Sequence, residues 1–249
     1  VVLVLAILPI LGVGGMYLYK AESSSPIKDN KLSPRITETA KSLWSVYILL
    51  TFACAIMYKF AGMNYFDAVG HSFSTVSIGG FSTHNSSIGF YSNDLIKIIC
   101  ILFMFLSALN FVLHFLFFKN RLLATYTANS EFKTFVSIII ILFVLIFIFS
   151  LNGKLESISN IDIIFQVFSF VTTSGFTTSN YSLWPSFIIL LIFLSSFIGA
   201  CAGSAGGGMK VIRLTIALKS IKKQLLRVIH PKAEITIKVN HKKKLFNMI

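Results

Sequence analysis

An apolar stretch too short to cross a bilayer runs twice into a polar strip, and the two copies lie 95 residues apart in a 249-residue chain. With Gly80 set against Gly175, the residues Asp67, Phe73, Ser74, Val76, Phe81, Thr83 and Asn85 match Asp162, Phe168, Ser169, Val171, Phe176, Thr178 and Asn180. The strips read Ser77-Ile78-Gly79-Gly80-Phe81-Ser82-Thr83 and Thr172-Thr173-Ser174-Gly175-Phe176-Thr177-Thr178. A fixed internal period marks repeated structural units. A helix rises ~1.5 Å per residue and bilayer hydrocarbon is ~30 Å thick, so such a half-span enters and leaves on one side. Non-helical backbone at that depth persists only where protein buries it or where it lines a water-filled path. Both strips are therefore expected to line a pore.

The residue balance supports a membrane chain. Hydrophobic residues make up 55% and charged residues only 12%, against roughly a quarter charged in a soluble domain. A net charge of +13 raises the question of nucleic acid, but the basic residues sit in stretches that flank apolar runs. Residues 20–42, 119–133 and 210–249 hold all the Lys and Arg except Lys59, Lys97 and Lys154. The positive-inside rule places those three stretches in the cytoplasm. The chain then reads as a multi-pass protein of the cytoplasmic membrane, with both strips facing outward and no nucleic-acid partner.

The runs divide the chain as follows. Residues 1–19 read as the end of an inner helix and 20–42 as a cytoplasmic linker. A first unit covers 43–118, with a span at 43–62, a half-span at 64–75, a strip at 76–87 and a second continuous span at 95–118. A second linker covers 119–133. The next unit covers 134–213, with a span at 134–151, a half-span at 161–171, a strip at 172–182 and a last span from Ser186. A basic segment, 214–249, closes the chain, and 233–239 alternates like a short strand. The chain opens on Val1-Val2-Leu3-Val4 without an initiator Met or a positive leader, and so reads as a piece of a longer protein.

Neither strip holds Lys, Arg, Asp or Glu. Selection by fixed side-chain charge is therefore disfavoured, which leaves backbone carbonyls to replace the hydration shell of a monovalent cation. Ser77, Ile78, Gly79, Gly80, Thr172, Thr173, Ser174 and Gly175 are the candidate ligands. Glycine permits the required backbone and leaves no side chain to crowd the ion. The two half-helices end at the strips, where their partly negative C-termini favour a cation. No nucleophile–base set, phosphate loop or metal cluster is present, so the chain is not read as an enzyme and no cofactor is expected. Cys54, Cys100 and Cys201 read as small buried residues.

The last span is interrupted by Gly199-Ala200-Cys201-Ala202-Gly203-Ser204-Ala205-Gly206-Gly207-Gly208. Glycine costs about 1 kcal/mol per helical position relative to Ala, so this stretch is expected to unwind. Asp67 and Asp162 are expected to cap the half-helices, Asn110 to make an inter-helix hydrogen bond, and His71, His84 and His114 to be structural. The tail around Lys219, Lys222, Lys223 and Arg227 is expected to meet anionic lipid heads.

Phe73-Ser74-Thr75-Val76-Ser77-Ile78-Gly79-Gly80-Phe81-Ser82-Thr83-His84 resembles the second filter segment of the TrkH/KtrB potassium-transport subunits. Residues 172–178 resemble the third. Residues 195–210 are similar to the interrupted inner helix of that family's third repeat, and His230-Pro231-Lys232-Ala233 fits its TrkH branch. The resemblance implies an all-α membrane fold with four helix–half-helix–filter–helix repeats around one pore, of which repeats two and three are complete here. Gly14-Gly15-Met16 then marks the end of the first. It implies potassium as the transported ion, and a gate in the glycine-rich loop 199–209 built from Gly203, Ser204, Ala205, Gly206, Gly207 and Gly208, with Lys210 at its exit. It also implies a homodimer and a cytosolic nucleotide-binding regulatory subunit as partners, beside membrane lipid. The residues themselves do not rank sodium against potassium. A secondary transporter with broken helices, coupled to a proton or sodium gradient, is the alternative.

Overall fold

A computed structural model describes residues 36–149, 159–229, 237–239 and 242–244. The expected inner-helix end at 1–19, the linker up to residue 35 and the 230–233 motif lie outside the described residues. The long helices follow the apolar runs. Helix α1 (Ile36–Phe60) is followed by α2 (Tyr65–Val76), a strip containing the 3-10 turn Ser87–Phe90, α3 (Asp94–Ala108) and α4 (Phe111–Asn120). After the short α5 (Ala124–Thr127), the order repeats with α6 (Ser130–Phe149), α7 (Asn160–Val171), a strip, α8 (Ser186–Ile198) and α9 (Val211–Ile229). In the basic tail, β1 (Ile237–Val239) pairs antiparallel with β2 (Lys242–Lys244).

Among the described residues, two helical stretches, Ser42–Phe60 and Ser130–Phe149, are long and apolar enough to cross a membrane. Most of their exposed residues are apolar. Ile48, Leu49, Phe52 and Phe60 on α1, and Ile140, Ile141, Val144, Leu145 and Ile148 on α6, face outward. Water would penalise such belts, whereas lipid does not. The inner stripe of α1 buries Leu43, Val46, Leu50, Cys54 and Tyr58 at helical spacing, and Tyr58 closes it with a 2.8 Å hydrogen bond between its hydroxyl and Thr75 Oγ1.

Each unit completes its core with residues of the other. Phe165 and Phe176 enter the first cluster beside Tyr58, Met63 and Met104. Ile78, Ala108 and Leu109 enter the second beside Phe135, Ile163 and Val171. Helix α3 packs on both α2 and α7, so the two units are joined through buried side chains rather than only through the linker.

One expected element is corrected. The continuous span at 95–118 is two helices, α3 and α4, bent by 95° at Leu109–Asn110. The bend persists because the freed backbone finds partners. Leu106 O accepts from His114 Nε2 at 2.8 Å. Ser107 O accepts from the Ala205 amide at 3.1 Å, and Ala108 O from the Cys201 amide at 3.0 Å. Asn110 caps the new helix, its side chain accepting from the Val112 amide at 2.8 Å. Its expected inter-helix hydrogen bond is thus a local cap. At this position too the bond that crosses to the glycine-rich loop is main-chain, from the Phe111 amide to Gly203 O at 3.1 Å.

Candidate functional site

Both half-helices end in the same hydrogen-bonded cap. In the first, the amide of Ser77 donates to Phe73 O at 3.0 Å, Ile78 to Thr75 O at 3.1 Å and Gly79 to Ser74 O at 2.8 Å. In the second, Thr172 donates to Phe168 O at 2.9 Å, Thr173 to Phe170 O at 3.0 Å and Ser174 to Ser169 O at 2.8 Å. The 6→1 and 5→2 pairs define a Schellman motif, whose left-handed residue is usually Gly. Here that residue is Ile78 (φ 57°) in one copy and Thr173 (φ 66°) in the other. A non-glycine residue in this region costs roughly 1–2 kcal/mol, and β-branched residues rarely adopt it. Two copies of one unfavourable choice at one register point to a shared requirement.

These caps consume the amides and leave the oxygens. Among the described residues, no hydrogen bond uses the carbonyls of Ser77, Ile78, Gly79, Gly80, Thr172, Thr173, Ser174 or Gly175 as acceptors. Gly80 and Gly175 both take positive φ, 69° and 87°. The strips also lie against each other. A Cβ on Gly80 would fall 2.0 Å from Ser174 O and 3.2 Å from the Gly175 carbonyl carbon, whereas one on Gly175 would meet nothing within 4 Å. Further out, the Gly89 amide donates to Thr177 O at 3.0 Å and the Thr177 amide to Ser87 Oγ at 3.2 Å. The contact is head-to-tail, the flank of one copy meeting the tip of the next.

The aspartates that recur at the half-helix starts are not the caps they were expected to be. Asn64 caps α2, accepting from the Asp67 amide at 2.7 Å, and Ser159 occupies the cap position of α7. Asp67 instead gathers the outer end of its strip. Its carboxylate accepts from Thr83 Oγ1 at 2.6 Å, His84 Nε2 at 3.0 Å, Tyr91 OH at 2.9 Å and Asn64 Nδ2 at 2.9 Å. Burial pushes this carboxyl up, but those hydrogen bonds outweigh it and hold it down at about 2. His71 donates from Nδ1 to Asp67 O at 2.8 Å and accepts at Nε2 from Ser82 Oγ at 2.9 Å, which fixes its tautomer and its structural role. Asp162 does something different, pairing with Lys97 of α3 at 2.9 Å. One copy of the aspartate ties a strip to its own half-helix, and the other ties the two units together.

The glycine-rich stretch is non-helical between α8 and α9, as expected, and it touches the second strip. The Gly207 amide donates to Thr173 Oγ1 at 2.7 Å, and a Cβ on Gly206 would lie 2.9 Å from Thr172 O. Lys210 folds back so that Nζ donates to Gly206 O. Glu131, which the sequence pattern left unremarked within a polar linker, is 5% exposed and accepts from the Ala202 amide at 2.7 Å. Its signal was available: an acidic residue three positions ahead of an otherwise apolar span needs a partner. The Cys201 side chain is buried, as are Cys54 and Cys100, and all three are free.

Comparison with known proteins places the chain. Residues 1–247 match the family model for TrkH, described as a cation transport protein. The chain is 47% identical over 247 residues to the Trk system potassium uptake protein TrkH of Escherichia coli strain K12, covering 97% of this chain and 51% of that protein. It is 38% identical over 249 residues to the Trk system potassium uptake protein TrkG of the same strain, covering 97% and 50%. The crystal structure of the potassium transporter TrkH from Vibrio parahaemolyticus matches with a TM-score of 0.80 at 43% identity, covering 96% of this chain and 48% of that one. The chain belongs to the TrkH cation transport family. It spans about half the length of the curated relatives it matches.

Proposed function

We propose that this chain, as a member of that family, forms two adjacent sectors of the ion path in a potassium uptake protein of the cytoplasmic membrane. A potassium ion sheds part of its hydration shell against the carbonyls of Ser77–Gly80 and Thr172–Gly175. It then passes the loop at Gly203–Gly208, with Lys210, which closes the inner side of the path. The observation that carries this reading is the asymmetry of the strips: amides turned back into the half-helices, and eight carbonyl oxygens with no hydrogen-bond partner among the described residues. Carbonyls left unpaired at membrane depth are costly, and a permeating cation or its water shell is the partner that suits them.

The head-to-tail contact extends the proposal. Such an interface repeats around an axis until it closes, and the edge at Gly175 is open where that at Gly80 is filled. In the fourfold arrangement that the family resemblance implies, these two sectors supply half of the ring, and two further repeats close it. Residues 43–118 and 134–213 act as the second and third repeats. The whole subunit works within the Trk system as a homodimer with a cytosolic nucleotide-binding regulatory subunit, and the basic residues 214–249 lie on that side.

Potassium uptake by the complete subunit in cells lacking other uptake systems tests this, wild type against Gly175→Ser. The variant is expected to keep membrane insertion and to lose preference for potassium over sodium. Unchanged preference, or flux strictly coupled to a proton or sodium gradient, contradicts channel-like permeation past these carbonyls.

A further inference from the structure

The glycine-rich loop has two halves with different attachments. From Cys201 to Ala205 its backbone is tied to fixed parts of the fold. The Cys201 amide donates to Ala108 O at 3.0 Å, Ala205 to Ser107 O at 3.1 Å, and Gly203 O accepts from Phe111 at 3.1 Å. Each partner belongs to the 95° break between α3 and α4. The amide of Ala202 lies between those of Cys201 and Ala205, and Glu131 takes it at 2.7 Å. From Gly206 onward the attachments run to the second strip, to α8 and to the loop's own start, and none reaches that break. Gly207 donates to Thr173 Oγ1 at 2.7 Å, Gly207 O accepts from Ala200 at 3.3 Å, the Met209 amide donates to Phe197 O at 2.9 Å, and Gly206 O takes the Lys210 ammonium.

Resting on the gate assigned above, we propose that Glu131 is a positioning residue that pins the Cys201–Ala205 half of the loop, so that gating motion is confined to Gly206–Lys210. The physical reason is the strength of its bond. A carboxylate accepts a hydrogen bond about twice as strong as one between neutral groups. The Ala202–Glu131 bond is therefore the strongest tie of the anchored half. Its acceptor comes from the first turn of α6, a spanning helix, so the anchor is rigid. The loop's reach to Thr173 is thereby measured from a fixed point.

Cys201 reports on the anchor without reference to transport, because it is 1% exposed and adjoins the bonded amide. In the complete subunit with Cys201 as the only cysteine, maleimide labelling from the cytoplasmic side is expected to be slow in the parent. Glu131→Ala should speed it about tenfold, the equivalent of ~1.4 kcal/mol, and should raise basal potassium leak alongside. Glu131→Gln, which keeps an acceptor oxygen without the charge, should fall between. If Glu131→Ala fails to fold, Glu131→Gln decides alone: labelling faster than the parent supports the pin, and an equal rate overturns it. Protection of Cys201 in a folded Glu131→Ala protein also overturns it. A parent that carries no potassium contradicts the function proposed above, while the labelling rates still judge the anchor.

Discussion

The amide of Gly207 donates to the hydroxyl of Thr173 at 2.7 Å, which joins the glycine-rich loop directly to the second strip. Thr173 thus has two duties. Its backbone takes the left-handed cap position at φ 66°, and its side chain holds the loop. Thr173→Val keeps the shape and removes the acceptor. A net hydrogen bond is worth about 1 kcal/mol, so basal potassium leak should rise about fivefold in the complete subunit. Flux measured in proteoliposomes without the regulatory subunit checks this, and an unchanged leak would disconnect loop from strip.

Gly80 and Gly175 occupy the same register but differ in surroundings. Gly80→Ala places a methyl group 2.0 Å from Ser174 O, a distance at which the neighbouring backbone must move. Gly175→Ala meets nothing within 4 Å in this chain and bears only the cost of its positive φ, roughly 1–2 kcal/mol. Gly80→Ala should therefore lower the thermal stability of the detergent-solubilised 249-residue chain, whose edge at Gly175 is open, more than Gly175→Ala. Equal melting temperatures would mean that the strips do not abut as described.

Ile78 sits in a conformation that favours glycine, yet its side chain is only 6% exposed and packs with Ala108 and Val171. Burying an isoleucine stabilises by about 1.5–3 kcal/mol, which exceeds or matches the roughly 1–2 kcal/mol of left-handed strain. Ile78→Gly should thus reduce stability, by about 1 kcal/mol, although it relieves the backbone. A rise in melting temperature would show that strain outweighs packing here.

The Asp67 hub sets a pH limit. Its folded pKa lies below the ordinary carboxylate value, so the stabilisation it gives is fully present above about pH 4 and is lost as pH falls towards 2. Asp67→Asn should remove that part of the acid sensitivity and lower stability at neutral pH, where Thr83, His84 and Tyr91 lose their charged acceptor. Thermal melts between pH 7 and pH 3 measure both. Asp67 lies in the first turn of α2, outside the two stretches long enough to cross a membrane.

Much of this arrangement was legible in the residues. The 95-residue period located both caps, because the same sequence register must satisfy the same backbone, and the apolar run from Ser186 ended at Ile198 where glycine begins. What stayed hidden depended on partners distant in sequence. Nothing near Leu109 announces a 95° bend, since the amides that make it tolerable come from Cys201 and Ala205. Identical aspartates looked like identical caps, but Lys97, supplied by α3, draws Asp162 away, while Thr83, His84 and Tyr91 converge on Asp67. Glu131 falls within a polar linker by sequence, and its partner amide lies 71 residues on.

Thallium, a potassium mimic with strong anomalous scattering, tests the central claim most directly when bound to crystals of the complete subunit. Density is expected on the axis between the strips, within coordination distance of carbonyl oxygens from both Ser77–Gly80 and Thr172–Gly175. Density seated instead at ionisable side chains between broken helices, with these carbonyls paired to protein donors, would contradict it.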